Sequence, residues 1–558
     1  MNENLLAKLT AAKSDTERTW IITENLLNSL PPDLASLAWA GAIPHWFTPE
    51  ILAALRPELQ PQITELYEEL IKLSFVEEFP DRGYNIHELT RKLMLEHFWR
   101  EKREEFITLS KKAAEYFANR EQPEQQIERI YHLLVVDTEW QNSELFNLAQ
   151  DWTNDFRRSE LESLFQHLWE QVLANRVSTP ALAEIYLLSG DFKFRFYQSA
   201  AALQDYEQAL SLYRDVGSRL GEAYTLRAIG DVLQFQKQNN QALENYQQAL
   251  SLYRDVGSRL GEANTLRAIG DVLQFQKQNN QALENYQQAL SLFRDVGDRL
   301  GEANTLTAIG DVLQFQDQNN QALENYQQAL SLFRDVGDRL GEANTLTAIG
   351  DVLQFQKQNN QALENYQQAL SLYRDVGSRL GEANTLKAIG DVLQFQKQNN
   401  QALENYQQAL SLFRDVGSRL GEANTLRAIG DVLQFQKQNN QALENYRQAL
   451  SLFCDVGDRL GEANTLTAIG KLQDEPEKAL EYLHQAQNLY SQIGDIYSQS
   501  RNLLFFIADV QLQLGQQEAA IASLNQAAEL AAAINYEPFQ EYAKNKIAEI
   551  KNNENGEL

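Results

Sequence analysis

Gly261-Glu262-Ala263-Asn264-Thr265-Leu266-Arg267-Ala268-Ile269-Gly270-Asp271-Val272-Leu273 opens a unit that closes with Ala282, Leu283, Tyr286, Ala289, Leu290, Phe293 and Gly297. The glycine of position 270 recurs at 190, 230, 310, 350, 390, 430 and 470, a period of 40 residues over eight positions. A fixed period of this length marks a solenoid, in which each unit contacts its neighbours and added length becomes added surface.

Within this copy Ala263, Leu266, Ile269, Gly270 and Leu273 follow the three-and-four spacing of a helix with one buried side. A second such series runs from Ala282 to Phe293, and the polar tract Gln276 to Gln281 separates the two. Asn280 is expected to cap the second helix through its side-chain oxygen, and Gly297 to end it in the left-handed conformation. The residue after that glycine is Ser218, Ser258, Asp298, Asp338, Ser378, Ser418 or Asp458. Serine and aspartate share an oxygen suited to an N-cap, so the next helix is expected to start there. Each unit is a helical hairpin that must stack.

These residues resemble the tetratricopeptide repeat family. Its pattern of a large residue, Leu-Gly, a tyrosine-like residue and later Ala, aromatic and Ala maps onto Leu266, Ile269-Gly270, Leu273, Ala282, Tyr286 and Ala289. The period of 40 instead of the usual ~34 is similar to the lengthened repeats of kinesin light chain and Pins-related adaptors. Arg294 stands where the family places its final proline, and Lys277, Asp317 or Lys357 where it places the turn glycine. The resemblance implies an all-α fold, a right-handed superhelical tetratricopeptide solenoid over residues 186–535, with a capping helix and tail over 536–558. Pro476 sits in a turn three residues shorter than in the other copies, and a last helix is expected from about Phe539 to Ile550.

The formal charge of -28 over 558 residues disfavours phosphate backbones and anionic membranes, so neither nucleic acid nor membrane is an expected partner. Cys454 is the sole cysteine and occupies the slot of Arg294, Arg334 or Arg414, which excludes an intrachain disulfide. Met1-Asn2-Glu3-Asn4 opens without a basic and apolar leader, and no stretch approaches 18 apolar residues, so a soluble cytoplasmic protein is expected.

All seven tryptophans precede residue 180, which marks a compositional boundary. Over residues 14–110 helices are expected near Leu34 to Gly41, from Pro49 to Leu55 and from Gln62 to Lys72. Strands follow at Ser74–Phe79 and Tyr84–Ile86 around the turn Asp81-Arg82-Gly83. A helix from His87 is expected to bury Leu89, Leu93, Leu95 and Phe98. This outline is a small winged-helix domain, joined by an irregular helical connector over 111–185. Its third helix carries Glu65, Glu68 and Glu69, which would repel DNA. The segment resembles the winged helix of STAND-class signalling NTPases, including NB-ARC proteins, because Ile86-His87-Glu88-Leu89 is similar to their Met-His-Asp motif. The resemblance implies that His87 reads nucleotide phosphates, or else that it only positions the hairpin against the following helix. No GxxxxGK[ST] loop occurs in the chain, so no cofactor is expected.

In the first helix Asn264, Arg267, Asp271 and Gln274 share one face opposite the buried series. Asn304, Thr307, Asp311 and Gln314 repeat it, followed by Asn344 and Asp351, by Asn384, Lys387 and Asp391, and by Asn424, Arg427 and Asp431. The family resemblance implies that this face lines a concave groove taking a peptide or protein segment. The position of Arg267 varies with the cap: serine precedes Arg or Lys, aspartate precedes Thr. Recent duplication alone could produce the identity among copies. The six histidines are scattered and no nucleophile, base and orienting residue recur at a recognisable spacing, so neither catalysis nor a metal is expected. The expected function is that of an interaction scaffold, or alternatively the sensor arm of a signalling NTPase partner supplied by another chain through the N-terminal domain.

Overall fold

The computed structural model describes residues 3–140 and 143–556. Their contacts divide the chain into two compact units, residues 1–278 and 279–558. No helix among the described residues is long and apolar enough to cross a membrane.

The first unit begins with helices α1 (Glu3–Ala11), α2 (Asp15–Ser29), α3 (Pro32–Gly41), α4 (Pro49–Leu55) and α5 (Ile63–Leu70). Strands β1 (Val76–Phe79) and β2 (Gly83–Ile86) pair antiparallel, and an additional bridge joins Phe47 to Tyr84. Thr48 caps α4 by accepting from the Ile51 N–H, with Pro49 at the first helical position. Helices α6 (Glu88–Glu101), α7 (Arg103–Tyr116), α8 (Pro123–Val136), α9 (Glu144–Asn154) and α10 (Arg158–Leu173) follow. Leu37, Phe47, Leu52, Leu70, Met94, Phe98 and Phe106 share one core, and Leu93 and Leu95 are buried, but Leu89 is exposed. Leu89 lies in the first turn of α6, beyond the reach of that core, which corrects its expected burial.

From Thr179 onward helices alternate in pairs. In the second unit a first helix, Arg299–Phe315, is followed by a second, Asn319–Val336, and the arrangement repeats at Arg339–Phe355 with Asn359–Asp375 and at Arg379–Phe395 with Asn399–Asp415. Arg419–Phe435 and Asn439–Val456 form the next pair, and a shortened first helix, Arg459–Lys471, is followed by Pro476–Ile493. The final pair contains a π-helical turn at Leu503–Ile507, and the closing helix runs longer than expected, Glu537–Gly556.

The hairpins of Gly310, Gly350, Gly390 and Gly430 each close on a tyrosine and a glycine, whereas Gly470 faces Leu483. A Cβ at Gly350 would lie 2.5 Å from the Tyr366 ring, and one at Gly341 would lie 2.4 Å from the Phe333 ring. Gly350, within its helix, and Gly341, in the first turn, are therefore sites of close approach by the second helix of the same copy and of the preceding one.

Gly337 takes φ +76 and Asp338 accepts from the Gly341 N–H at 2.9 Å, as it does in the copies begun by Asp298 and Asp458. Ser218 accepts from the Gly221 N–H at 3.3 Å, whereas Ser258, Ser378 and Ser418 make no such side-chain bond. Asp338→Ala should destabilise that helix start by about 1 kcal/mol. Urea denaturation of a short-repeat fragment or hydrogen exchange at residues 339–343 would measure it.

The expected cap at Asn280 is corrected by the structure. Asn320, its equivalent, lies inside its helix and accepts instead from Gln356 Nε2 of the next copy at 3.1 Å, and Asn280 accepts likewise from Gln316. The turn itself is closed by Asp317, Lys357, Lys397 and Lys437 in the left-handed region, φ 59 to 62, which is why the helix begins before the asparagine can cap it. Arg334, in the slot of the family proline, pairs with Glu342 of the next copy at 2.7 Å. Where Cys454 replaces that arginine, Glu462 turns to Arg459 at 3.0 Å.

Candidate functional site

Successive first helices of the second unit, Arg299–Phe315, Arg339–Phe355, Arg379–Phe395 and Arg419–Phe435, touch one another more closely than successive second helices do. They form one continuous layer of the stack. The face carrying the asparagine and aspartate rows belongs to this layer, but its residues are not equally available.

Asn304, Asn344 and Asn384 are exposed. Asn344 Oδ1 accepts from the Tyr373 hydroxyl at 2.7 Å, whereas Asn264 and Asn424 are half-buried and donate to the carbonyls of Leu260 and Leu420. The aspartates serve the hairpin. Tyr326 donates to Asp311 at 2.6 Å and lies 3.0 Å from Gln314 Oε1, and Tyr366 makes the same contacts with Asp351 and Gln354. Tyr406 and Tyr446 do so with Asp391 and Asp431. Burial first, then the neighbouring carboxylate, pushes the Tyr366 hydroxyl upward, so it remains a donor.

The other oxygen of the aspartate is held one turn away along the helix. Lys387 reaches Asp391 at 2.7 Å, Arg427 reaches Asp431 at 3.3 Å and Arg267 lies 3.5 Å from Asp271. Thr307 instead donates to the Ala303 carbonyl. The row of aspartates is thus a row of hairpin clasps with partly satisfied outer oxygens. His87 is exposed at the end of β2, and its backbone N–H donates to the Phe75 carbonyl at 2.8 Å, which ties it to the hairpin.

One row on this face is absent from the sequence-based assignment. Phe315, Phe355, Phe395 and Phe435 are 67%, 66%, 65% and 65% exposed. Each stands 11 residues after the asparagine of its helix, about three turns, and so lies on the asparagine's side. The signal was available: these rings fall off the three-and-four series that buries Leu313 and its equivalents.

The family model described as Tetratricopeptide repeat matches residues 181–255, 261–335, 301–375, 341–415 and 381–455, and a second of the same description matches 502–534. The chain belongs to the tetratricopeptide repeat family. Among solved structures this tetratricopeptide protein is similar to a STAND protein with a tetratricopeptide repeat sensor from Pyrococcus horikoshii, at 12% identity and a TM-score of 0.54. That similarity covers 83% of this chain and 69% of the other. The apo form of the quorum sensor NprR from B. thuringiensis aligns at 14% identity with a TM-score of 0.43, over 69% of this chain and 97% of its own. No curated protein matches the sequence.

Proposed function

We propose that this tetratricopeptide protein is an interaction scaffold whose first-helix face binds an extended segment of another protein. The observation that carries the reading is the row of exposed phenylalanines on the first-helix layer, with the exposed amides of Asn304, Asn344 and Asn384 about three turns away on the same face. Aromatic side chains left in water at a regular spacing provide apolar anchors, and asparagine both donates to and accepts from peptide groups. Asp311, Asp351, Asp391 and Asp431 contribute their outer oxygens only as secondary contacts, since the tyrosines already engage them.

The rings are exposed, so Phe315, Phe355, Phe395 and Phe435 can be changed together to Ser without opening the core. Partners captured from native lysate by the full chain and by this variant would be compared by quantitative mass spectrometry, with circular dichroism as the folding control. The expected result is at least roughly ten-fold depletion of a partner bound by the parent, a loss of about 1.4 kcal/mol or more. Equal capture by both proteins refutes the face. The same comparison with Asn304, Asn344 and Asn384 changed to Ala tests the amide row.

A second reading is favoured by the reach of the Pyrococcus similarity, whose 83% coverage extends beyond the repeats. In that reading helices α3 to α5 with the β1–β2 hairpin form a winged-helix module, and the repeats are the sensor arm of a STAND-type NTPase supplied by another chain. An NTPase retained by the full chain and lost on His87→Ala supports it. Its absence from the captured proteins rejects it.

A further inference from the structure

Half of the chain's six histidines meet at one point of the first unit, although they stand far apart in sequence. His45 comes from the loop between α3 and α4, His132 from α8 and His167 from α10. Among them lies Glu128 of α8, whose side chain is 0% exposed. His45 donates through Nδ1 to Glu128 Oε1 and through Nε2 to Glu170 Oε2, the latter at 3.1 Å. His167 donates its Nδ1–H to the Ser163 carbonyl at 2.7 Å, which leaves the lone pair on Nε2. His132 is 1% exposed, approaches Glu128 Oε2 to 3.3 Å, and has no hydrogen bond at either ring nitrogen. One ligand atom from each of His45, Glu128 and His167 falls within 4.8 Å of the others.

We propose that this cluster is a binding site for a zinc-class divalent cation, with His45, Glu128 and His167 as ligands and His132 behind them against the other oxygen of Glu128. A donor set of imidazole nitrogens and one carboxylate suits zinc, whereas calcium and magnesium take oxygen ligands. The orienting contacts that such ligands need are also in place. Glu170 holds the far nitrogen of His45, and the Ser163 carbonyl holds the far nitrogen of His167. The proton shared by His45 Nδ1 and Glu128 Oε1 sits where the cation would enter. On binding it leaves to water, and the two atoms open toward the roughly 3.3 Å that separates ligands on bonds of about 2.1 Å.

Arg91 does not compete for the position. Its guanidinium is committed to the carbonyls of Ala42, Ile43 and Pro44 and to the Tyr131 hydroxyl, and its remaining nitrogen lies 3.6 Å from Glu170. A bound cation would pin three segments of the first unit together: the buried loop after α3, α8 and α10.

The test uses the full chain stripped with chelator and dialysed against zinc, with metal counted by atomic emission. The parent should retain one zinc per chain and gain thermal stability. His167→Gln should bind at least roughly ten-fold more weakly, while His484→Gln, from the second unit, should match the parent. Retention of less than one zinc, or undiminished binding by His167→Gln, overturns the assignment and leaves the cluster as a proton-held contact. Cobalt added to the parent protein provides a readout independent of any variant. Intense visible bands of a four-coordinate nitrogen and oxygen site are expected, and the weak spectrum of hydrated cobalt would reject the site.

Discussion

Arg91→Ala is expected to destabilise the first unit by about 3–5 kcal/mol, since it leaves several buried acceptors unsatisfied at about 1–3 kcal/mol each. Residues 42–44 and 46–47 are buried within the loop between α3 and α4, which places backbone carbonyls where water does not reach. Arg91, itself buried, satisfies them: Nε lies 3.0 Å from the Ala42 oxygen and 3.1 Å from that of Pro44, and Nη2 lies 3.1 Å from that of Ile43. Alanine would orphan these acceptors and also remove a fixed positive charge beside Glu170. Arg91→Lys keeps the charge and loses the fork, so it should fall between parent and alanine. Urea denaturation followed by tryptophan fluorescence reads the first unit alone, because every tryptophan precedes residue 180. A shift below about 1 kcal/mol for Arg91→Ala would show that the loop carbonyls find other partners.

The repeats were legible in the sequence because their determinants are local. Helix periodicity, the left-handed glycine at Gly337 and the aspartate cap at Asp338 each depend on residues within one or two turns. Contacts made between helices were not legible in the same way. Helix geometry places Asp311 and Gln314 on one face, and only the family resemblance makes that face a groove, but their partner Tyr326 comes from the next helix, 15 and 12 residues further on. Asn320 has the composition of a cap and the position of a bridge, a distinction decided by where the left-handed Asp317 starts the helix. Phe315 stands outside the buried series of its own helix, and its row is visible only by comparing copies, at Phe355, Phe395 and Phe435. The histidine cluster lies furthest from view. His45 and Glu170 are 125 residues apart, and no spacing rule joins them until α8 and α10 have packed.

Tyr366 tests how much of a repeat's stability rests on its clasp. The side chain is fully buried against Gly350, where an added Cβ would come within 2.5 Å of the ring, and its hydroxyl holds Asp351 at 2.6 Å and Gln354 at 2.9 Å. Tyr366→Ala should cost about 3–5 kcal/mol, the range for emptying an aromatic site in a core that relaxes only partly. Tyr366→Phe retains the ring and removes the donor. Both acceptors can turn toward solvent, since Asp351 is exposed and Gln354 half-buried, so the loss should be near 1 kcal/mol. In a stack whose units contact only their neighbours, the damage should stay local. Hydrogen exchange should therefore speed up in Arg339–Phe355 and Asn359–Asp375 and fade within a copy on either side. Equal losses for alanine and phenylalanine would place the clasp's value in the hydrogen bonds instead of the packed ring. Loss of protection along the entire second unit would mean that it unfolds as one cooperative body.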